Sequence, residues 1–324
     1  MTSGPAAVIE TTRRLAAGGI ESAASEARTL VGFATGARPG RLDLIDGLDE
    51  EQESTLETAI TDRLTGKPLQ HITGAAHFRT VSVQVGPGVF IPRPETESLA
   101  GWAIAQVSAG YRRIVELCAG SGAISLAIEA ESQTAQRSKW TPESSPCPVE
   151  PTGLPPGTVP GGNWNRPRWQ PEPSPCPAGP TQWAVESDDQ AFGYLVRNLA
   201  GTSIIAVHDD MAGAWSRDIG QVDLVVANPP YIPLHHRGSL PPDVACDPPQ
   251  ALFSGADGLD AIRTVASVAA RILGRGGVVG CEHGDDQGEH VSEIFVQAGF
   301  TAVTINADLA GRPRFVTATF TGVE

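Results

Sequence analysis

Hydrophobic positions recur at helical spacing through the first part of the chain. Val8, Ile9, Thr12, Leu15 and Ala16 predict one helix. Ala24, Ala27, Leu30, Val31 and Ala34 predict a second, with Gly36 as its stop. Residues 42–64 give two shorter amphipathic pieces, with the acidic run Asp49-Glu50-Glu51 at a helix start, and Gly66-Lys67-Pro68 closes the set. This is the pattern of a small helical bundle. The period then changes from helical to two. Val81, Val83 and Val85 alternate with polar residues and predict a strand over 80–85, followed by a turn at Gly86-Pro87-Gly88. A helix over 98–109, a strand over 113–117 and a helix over 123–131 come next. Past a long break, a strand is predicted over 182–185 and a helix over 190–199. Short apolar runs follow at 204–207, 222–227 and 277–281, with a helix over 260–273 between the last two. Strands alternating with helices imply an α/β, doubly wound sheet. The end departs from that rule: 302–306 and 315–320 are strand-like with no helix between them, which predicts a terminal antiparallel hairpin.

The break covers residues 132–181 and holds 13 of the 27 prolines. Such a stretch forms neither a helix interior nor an inner strand. It repeats itself: the string from Trp140 to Pro148 recurs, with changes, from Trp169 to Pro177. Two copies without hydrophobic periodicity do not make a solenoid, so the segment reads as a disordered or polyproline-like surface insertion. Cys147 and Cys176 occupy matching places in the copies, but two thiols with no histidine nearby do not fill a tetrahedral metal site.

Composition narrows the class. The chain has 324 residues, 40% of them hydrophobic and 19% charged, enough apolar material for two domains. No apolar run reaches the ~18 residues of a membrane span, and residues 1–15 lack a charged-then-apolar leader pattern. Five scattered cysteines, an odd number, fit a reducing cytoplasm better than a disulfide framework. The net charge of −14 argues against a nucleic acid as the main ligand, because such binding gains its affinity from Lys and Arg on phosphates.

Three clusters carry chemistry. In the first, Glu116-Leu117-Cys118-Ala119-Gly120-Ser121-Gly122 joins a strand to a helix. Gly120 and Gly122 let backbone approach a ligand at the carboxyl end of a sheet strand, although an ordinary strand–helix turn can look the same. Without Gly-Lys-Ser/Thr the turn is no phosphate-cradling loop. In the second, Glu186 ends the next strand, where a carboxylate can accept from both hydroxyls of a ribose; a solvated surface Glu is the plainer alternative. Asp210 and Met211 stand where a third strand would deliver an adenine contact. The third cluster, Asn228-Pro229-Pro230-Tyr231, follows a buried strand. The Asn228 side-chain carbonyl and the Pro229 backbone carbonyl are two acceptors that can grip the two hydrogens of a planar NH₂ group. Tyr231 offers a flat face, and the prolines pre-organise the corner.

In this order the three clusters resemble a class I (Rossmann-like) S-adenosylmethionine-dependent methyltransferase acting on amino nitrogen. More of the chain resembles one branch. The strings 68–74, Phe90-Ile91-Pro92-Arg93-Pro94-Glu95-Thr96-Glu97, Asn228-Pro229-Pro230-Tyr231-Ile232 and Glu282-His283-Gly284 are together similar to the HemK/PrmC family. Those enzymes methylate the side-chain amide of the glutamine in the Gly-Gly-Gln motif of peptide chain release factors. The resemblance implies an N-terminal helical substrate-recognition domain over 1–78, a linking β-hairpin segment over 79–97, and a methyltransferase domain over 98–324 interrupted by the insertion. It implies S-adenosylmethionine bound by Glu116, Cys118, Ala119, Gly120, Ser121, Gly122, Glu186, Asp210, Met211 and Asn228. It implies catalysis and substrate binding at Asn228, Pro229, Pro230 and Tyr231, with Arg93 and Glu95 also on the substrate. No metal is implied; His235 and His236 are adjacent and point apart. A cytoplasmic monomer with a protein substrate is expected, without nucleic-acid or membrane binding.

Two departures stand out. The family's Asp-Leu-Gly is Glu116-Leu117-Cys118 here, and the Cys is expected to weaken cofactor binding without abolishing it. The family's Phe-Tyr-Gly is Phe78-Arg79-Thr80, which bears on interdomain packing. The rival functions are an adenine amino-methyltransferase, which would need base flipping and a basic groove, a glutamine methyltransferase on a ribosomal protein, and a cofactor-binding module without activity.

Overall fold

The computed structural model describes residues 2–139, 181–213, 216 and 219–322. The repeated proline-rich strings, with Cys147 and Cys176, lie outside the described residues. Four helices lead: α1 (Gly4–Ala17), α2 (Ala23–Thr35), α3 (Glu50–Leu64) and α4 (Leu69–Thr73). Gly36 ends α2 in the left-handed conformation at φ 70°. Asp49 opens α3 through a capping box, its carboxylate accepting from the Gln52 amide while Gln52 accepts from the Asp49 amide. The apolar faces meet in a core of their own around Leu15, Leu30, Val31, Leu42, Leu48 and Ile60.

The strand predicted over 80–85 is one arm of a hairpin, β1 (Ala75–Phe78) with β2 (Val81–Gln84). Its first arm had no alternating pattern long enough to show in sequence. Then come α5 (Glu97–Ala109), β3 (Arg113–Leu117), α6 (Ala123–Lys139), β4 (Thr181–Glu186), α7 (Asp189–Asn198), β5 (Ile205–His208) and β6 (Val222–Ala227). Helix α6 runs past 131 to Lys139, so the first residues assigned to the break are helical. Short α8 (Pro242–Ala245) and α9 (Pro249–Leu252) precede α10 (Asp260–Ile272), β7 (Leu273–Glu282), α11 (Gly288–Gln297), β8 (Phe300–Ala307) and β9 (Pro313–Phe320). Helix α11 was not anticipated from the sequence pattern, although Val291 and Phe295, four residues apart, are both buried.

Seven strands form one sheet in the order β5-β4-β3-β6-β7-β9-β8. All neighbouring pairs from β5 to β7 are parallel, and β9 runs antiparallel to both β7 and β8. The expected α/β doubly wound sheet with a terminal antiparallel hairpin is therefore the observed architecture. Strand β6 is buried on both faces from Leu224 to Ala227, which explains the apolar run there. Leu224 and Val226 join α5 and α6 in one core layer, whereas Val225 and Ala227 join α10 and Phe295 in the other.

One ion pair anchors the helical bundle. Arg63 Nε donates to Glu26 Oε2 at 2.6 Å with both side chains about nine-tenths buried, and Arg63 also lies 3.6 Å from Asp243 of α8. Removing one partner strands a charge out of water, so Glu26→Ala is expected to cost about 3–5 kcal/mol in urea unfolding. The double substitution Glu26→Leu with Arg63→Met is expected to recover most of that loss. A single substitution without cost would mean that the pair is solvated.

Candidate active site

The sheet order reverses between β3 and β6. The chain leaves β3 toward β4 on one side, and β6 toward β7 on the other, so a crevice opens beyond their carboxyl ends. The glycine turn lies on one wall and the Asn-Pro-Pro-Tyr corner on the other, around a cleft of about 670 Å³. Of the residues picked out from sequence, all line this cleft except Gly122.

After β3 the backbone is left-handed three times, at Cys118 (φ 56°), Gly120 (φ 55°) and Gly122 (φ 80°). The Gly122 amide donates to the Ala119 carbonyl at 2.8 Å, and the Ala119 amide donates to Val185 O at 2.9 Å, which ties the turn to β4. The two glycines do different work. A Cβ on Gly120 would meet no protein atom within 4 Å, so this position is open toward a ligand. A Cβ on Gly122 would sit 2.7 Å from Leu195 Cδ1, so Gly122 serves the packing of α7 and does not border the cleft. Cys118 carries a side chain in a conformation that costs an L-residue roughly 1–2 kcal/mol. The glycine expected at that place thus answers to backbone sign as well as to close approach. The Cys118 thiol lies 3.9 Å from Met211 Sδ. Burial, with Glu186, Asp210 and Glu116 nearby, raises its pKa, so it stays a neutral thiol.

Two carboxylates behave in opposite ways. Glu186 is half-buried and held by backbone: Oε2 accepts from the Gly120 amide at 2.8 Å, and Oε1 from the Ser187 and Asp188 amides at 2.8 and 2.9 Å. Three N–H donors fix its orientation and leave lone pairs for further donors from the cleft. Glu116 is 2% exposed, and burial pushes its pKa up to about 8 although the Ser125 amide donates to it at 2.9 Å. Asp210, whose Oδ1 accepts from the Ala212 amide at 2.8 Å, stands with Met211 beyond β5.

The corner after β6 is braced from outside. The Ile232 amide donates to Leu252 O and the Ser254 amide to Ile232 O, while Gln287 Nε2 donates to Tyr231 O at 2.9 Å. Asn228 Nδ2 donates to Thr96 Oγ1 at 3.1 Å. Thr96 is 3% exposed and stands at the end of the Pro-Glu-Thr turn that starts α5. With the nitrogen so engaged, the Asn228 carbonyl oxygen remains as the acceptor end. The Tyr231 hydroxyl faces Glu282 Oε1 at 3.5 Å, and its pKa is raised by burial and by that carboxyl.

Thr96, Glu282 and Arg314 also line the cleft, and none was picked out as a site residue from sequence. Thr96 and Glu282 lay inside strings already singled out, and Glu282 ends β7 as Glu186 ends β4, a signal that could have found it. Arg314 sits on β9 with no local pattern to mark it. The far wall is closed by an ion pair between Arg93 and Asp247; Asp247 also accepts from the Ile91 amide at 3.2 Å. Arg93 is therefore engaged in holding the segment of α8 and α9 against the cleft, and Glu95 stands beside it.

Acidic groups outnumber basic ones around the cleft: Glu95, Glu116, Glu186, Asp188, Asp209, Asp210 and Glu282 against Arg93 and Arg314. Such a field favours a cationic ligand and opposes a polyphosphate. Glu116 also links stability to pH. Its folded pKa lies above the unfolded value near 4.5, so the folded state binds the extra proton and stability falls as pH rises from 4.5 through about 8. Glu116→Gln keeps an acceptor for the Ser125 amide and removes the titration. It is expected to unfold at a higher temperature than the parent at pH 8, with that advantage gone near pH 4. Equal differences at both pH values would contradict the burial argument.

Comparison with known proteins places this geometry in a family. Residues 6–74 match the family model of the PrmC N-terminal domain. Release factor glutamine methyltransferase of Streptomyces coelicolor is 38% identical over 97% of this chain and 96% of its own length. The Mycolicibacterium smegmatis protein of the same name is 37% identical over 98% of each. A 4-amino-L-phenylalanine/4-methylamino-L-phenylalanine methyltransferase of Streptomyces pristinaespiralis is 32% identical over 90% of this chain and 87% of its own. Among solved structures, the hMettl16 catalytic domain in complex with an RNA hairpin superposes with a TM-score of 0.50. It is 14% identical and covers 85% of this chain and 83% of its own, a likeness of fold alone. On identity and coverage, this chain belongs to the release factor glutamine methyltransferase family.

Proposed function

We propose that the protein transfers a methyl group from S-adenosylmethionine to the side-chain amide nitrogen of the glutamine in the Gly-Gly-Gln motif of peptide chain release factors. It does so as a cytoplasmic monomer and without a metal. The observation that carries this reading is the orientation of Asn228. One hydrogen of its NH₂ goes to Thr96, which turns its oxygen to the other side, and that oxygen and the Pro229 carbonyl supply two acceptors for a primary amide. Tyr231, held by Gln287, offers the adjoining flat surface.

The cleft fits the cofactor on its own features. The Glu186 carboxylate is preset by three backbone donors for a vicinal diol, Gly120 leaves room where a Cβ would project, and the acidic surroundings suit a sulfonium. Glu186, Gly120, Ala119, Ser121, Asp210 and Met211 are the residues that would hold it, with Cys118 and Glu116 beneath. S-adenosylmethionine supplies an electrophilic methyl group and a good leaving group.

The remaining difficulty belongs to the acceptor. An amide nitrogen has its lone pair delocalised into its carbonyl. Asn228 and Pro229, by accepting both N–H groups, orient that nitrogen and oppose the loss of its electron density. Catalysis is then mainly positioning and electrostatics. The product amide cation is strongly acidic, so no strong base is required before transfer. Arg93 acts indirectly by pairing with Asp247 and holding the wall against which the substrate loop packs, with Glu95 at its edge.

The Streptomyces pristinaespiralis relative, named for an aromatic amine, gives a second reading, because the same two acceptors would also take a free arylamine. The helical domain, matching the PrmC N-terminal domain over residues 6–74, favours a protein substrate.

Two substitutions separate binding from chemistry. Glu186→Ala is expected to weaken cofactor binding by roughly 1.5–3 kcal/mol in calorimetry; unchanged affinity would remove Glu186 from the site. Asn228→Ala is expected to lower transfer of labelled methyl to purified release factor on the order of 10²-fold, with cofactor affinity nearly intact. Transfer at the parent rate would mean that the corner does not hold the acceptor.

A further inference from the structure

Helix α7 carries Gln190, Tyr194 and Asn198 at four-residue spacing, in a row along one face. The exit of the β1–β2 hairpin lies flush on that row. A Cβ on Gly86 would run into the Tyr194 hydroxyl, and one on Gly88 into Gln190 Oε1. Asn198 closes the row and spends both hydrogens of its amide. Its Oδ1 accepts from the Gln84 amide at 2.7 Å, while Nδ2 donates to Gln84 O at 3.0 Å and to Ser121 O at 2.9 Å. The two bonds to Gln84 extend β2 sideways as a neighbouring strand would. The third bond reaches the glycine turn. With Nδ2 facing two carbonyls and Oδ1 facing an N–H, the amide has one orientation; turned over, it would set an oxygen against two oxygens.

Ser121 is 3% exposed and lines the cleft, whereas Asn198 does not. Ser121 stands between two left-handed glycines, where the backbone is least restrained by its own side chains. On one side the Gly120 amide donates to Glu186 Oε2, and on the other the Gly122 amide donates to Ala119 O. A bond to the carbonyl between them therefore has leverage on both.

We propose that Asn198 is a positioning residue for the cofactor turn, which it sets against the hairpin leading out of the helical domain. Strand β1 starts at Ala75, directly after residues 6–74 that match the PrmC N-terminal domain. The placement of that domain and the shape of the turn thus meet in one side-chain amide that touches neither cofactor nor acceptor. The inference rests on the cofactor reading for its effect on affinity; the restraint of the turn needs no ligand.

The test combines amide hydrogen exchange by NMR on the ligand-free full chain with calorimetry using S-adenosylhomocysteine, the demethylated cofactor. In Asn198→Ala, the Gln84, Gly120 and Gly122 amides are expected to exchange on the order of tenfold faster, and affinity to fall on the order of tenfold. Asn198→Asp separates the two ends. Its carboxylate still accepts from the Gln84 amide, which stays protected. It cannot donate to Ser121, so Gly120 and Gly122 exchange faster and affinity falls as in Asn198→Ala. Phe320→Leu, which loosens the far edge of the sheet where Phe320 packs on Phe300, controls for lost stability. It is expected to keep the parent's affinity and turn protection. Turn amides that stay protected in Asn198→Ala or Asn198→Asp overturn the proposal. So does parent affinity in Asn198→Ala, or an equal loss of affinity in Phe320→Leu. If the turn amides respond as expected but the parent binds no S-adenosylhomocysteine, the cofactor reading fails and the restraint of the turn stands.

Discussion

Strands β3 and β6 lie side by side, yet their chains depart to opposite edges of the sheet. Helices cannot fill the space directly above that divergence, so the crevice there is a consequence of connectivity. The glycine turn and the Asn-Pro-Pro-Tyr corner form its two lips. The lip after β3 must turn at once, and does so through left-handed backbone at Cys118 and Gly120. The lip after β6 is stiffened by prolines and tied down by Gln287 and by the exchange between Ile232 and the Leu252–Ser254 stretch. The two lips face each other across one cleft.

Charge and burial refine that frame. At the rim, the Glu186 carboxylate is held by three backbone donors. Carboxylates sunk into the walls, Glu116 and Glu282, are driven toward neutrality. The resulting field suits a cationic ligand while limiting the number of full charges left in a poorly solvated place. The helical bundle is stitched to the same structure: Arg63, paired with Glu26, reaches Asp243 of α8, and Asp247 a few residues on is held by Arg93. The helical bundle and the cleft wall are thus tied by ion pairs to one short segment, residues 243–247.

Much of the architecture was legible from sequence because each strand-to-loop transition carries its own signature. The apolar run of β6 followed by Asn228-Pro229-Pro230-Tyr231, and the small residues after β3, mark the two lips before any fold is known. The legible part stops where function comes from contacts between distant segments. Gly122 looks like a ligand-facing glycine and proves to be one that admits Leu195. Arg93 borders the cleft, and its pairing with Asp247 across 154 positions of chain had no local pattern to announce it. The bond from Asn228 to Thr96 spans 132 positions, so no local pattern could have revealed it. Strand β1 was missed because it is only four residues long, whereas α11 carries a legible helical spacing at Gly288, Val291 and Phe295.

The central claim is that the corner after β6 grips the two hydrogens of a glutamine side-chain amide. Tandem mass spectrometry of a purified release factor, incubated with this protein and S-adenosylmethionine, tests it most directly. The account predicts one added methyl group, located on the side-chain nitrogen of the Gly-Gly-Gln glutamine and on no other residue. An unmodified Gly-Gly-Gln peptide, alongside methyl transfer to a free arylamine or to nucleic acid under the same conditions, would contradict it.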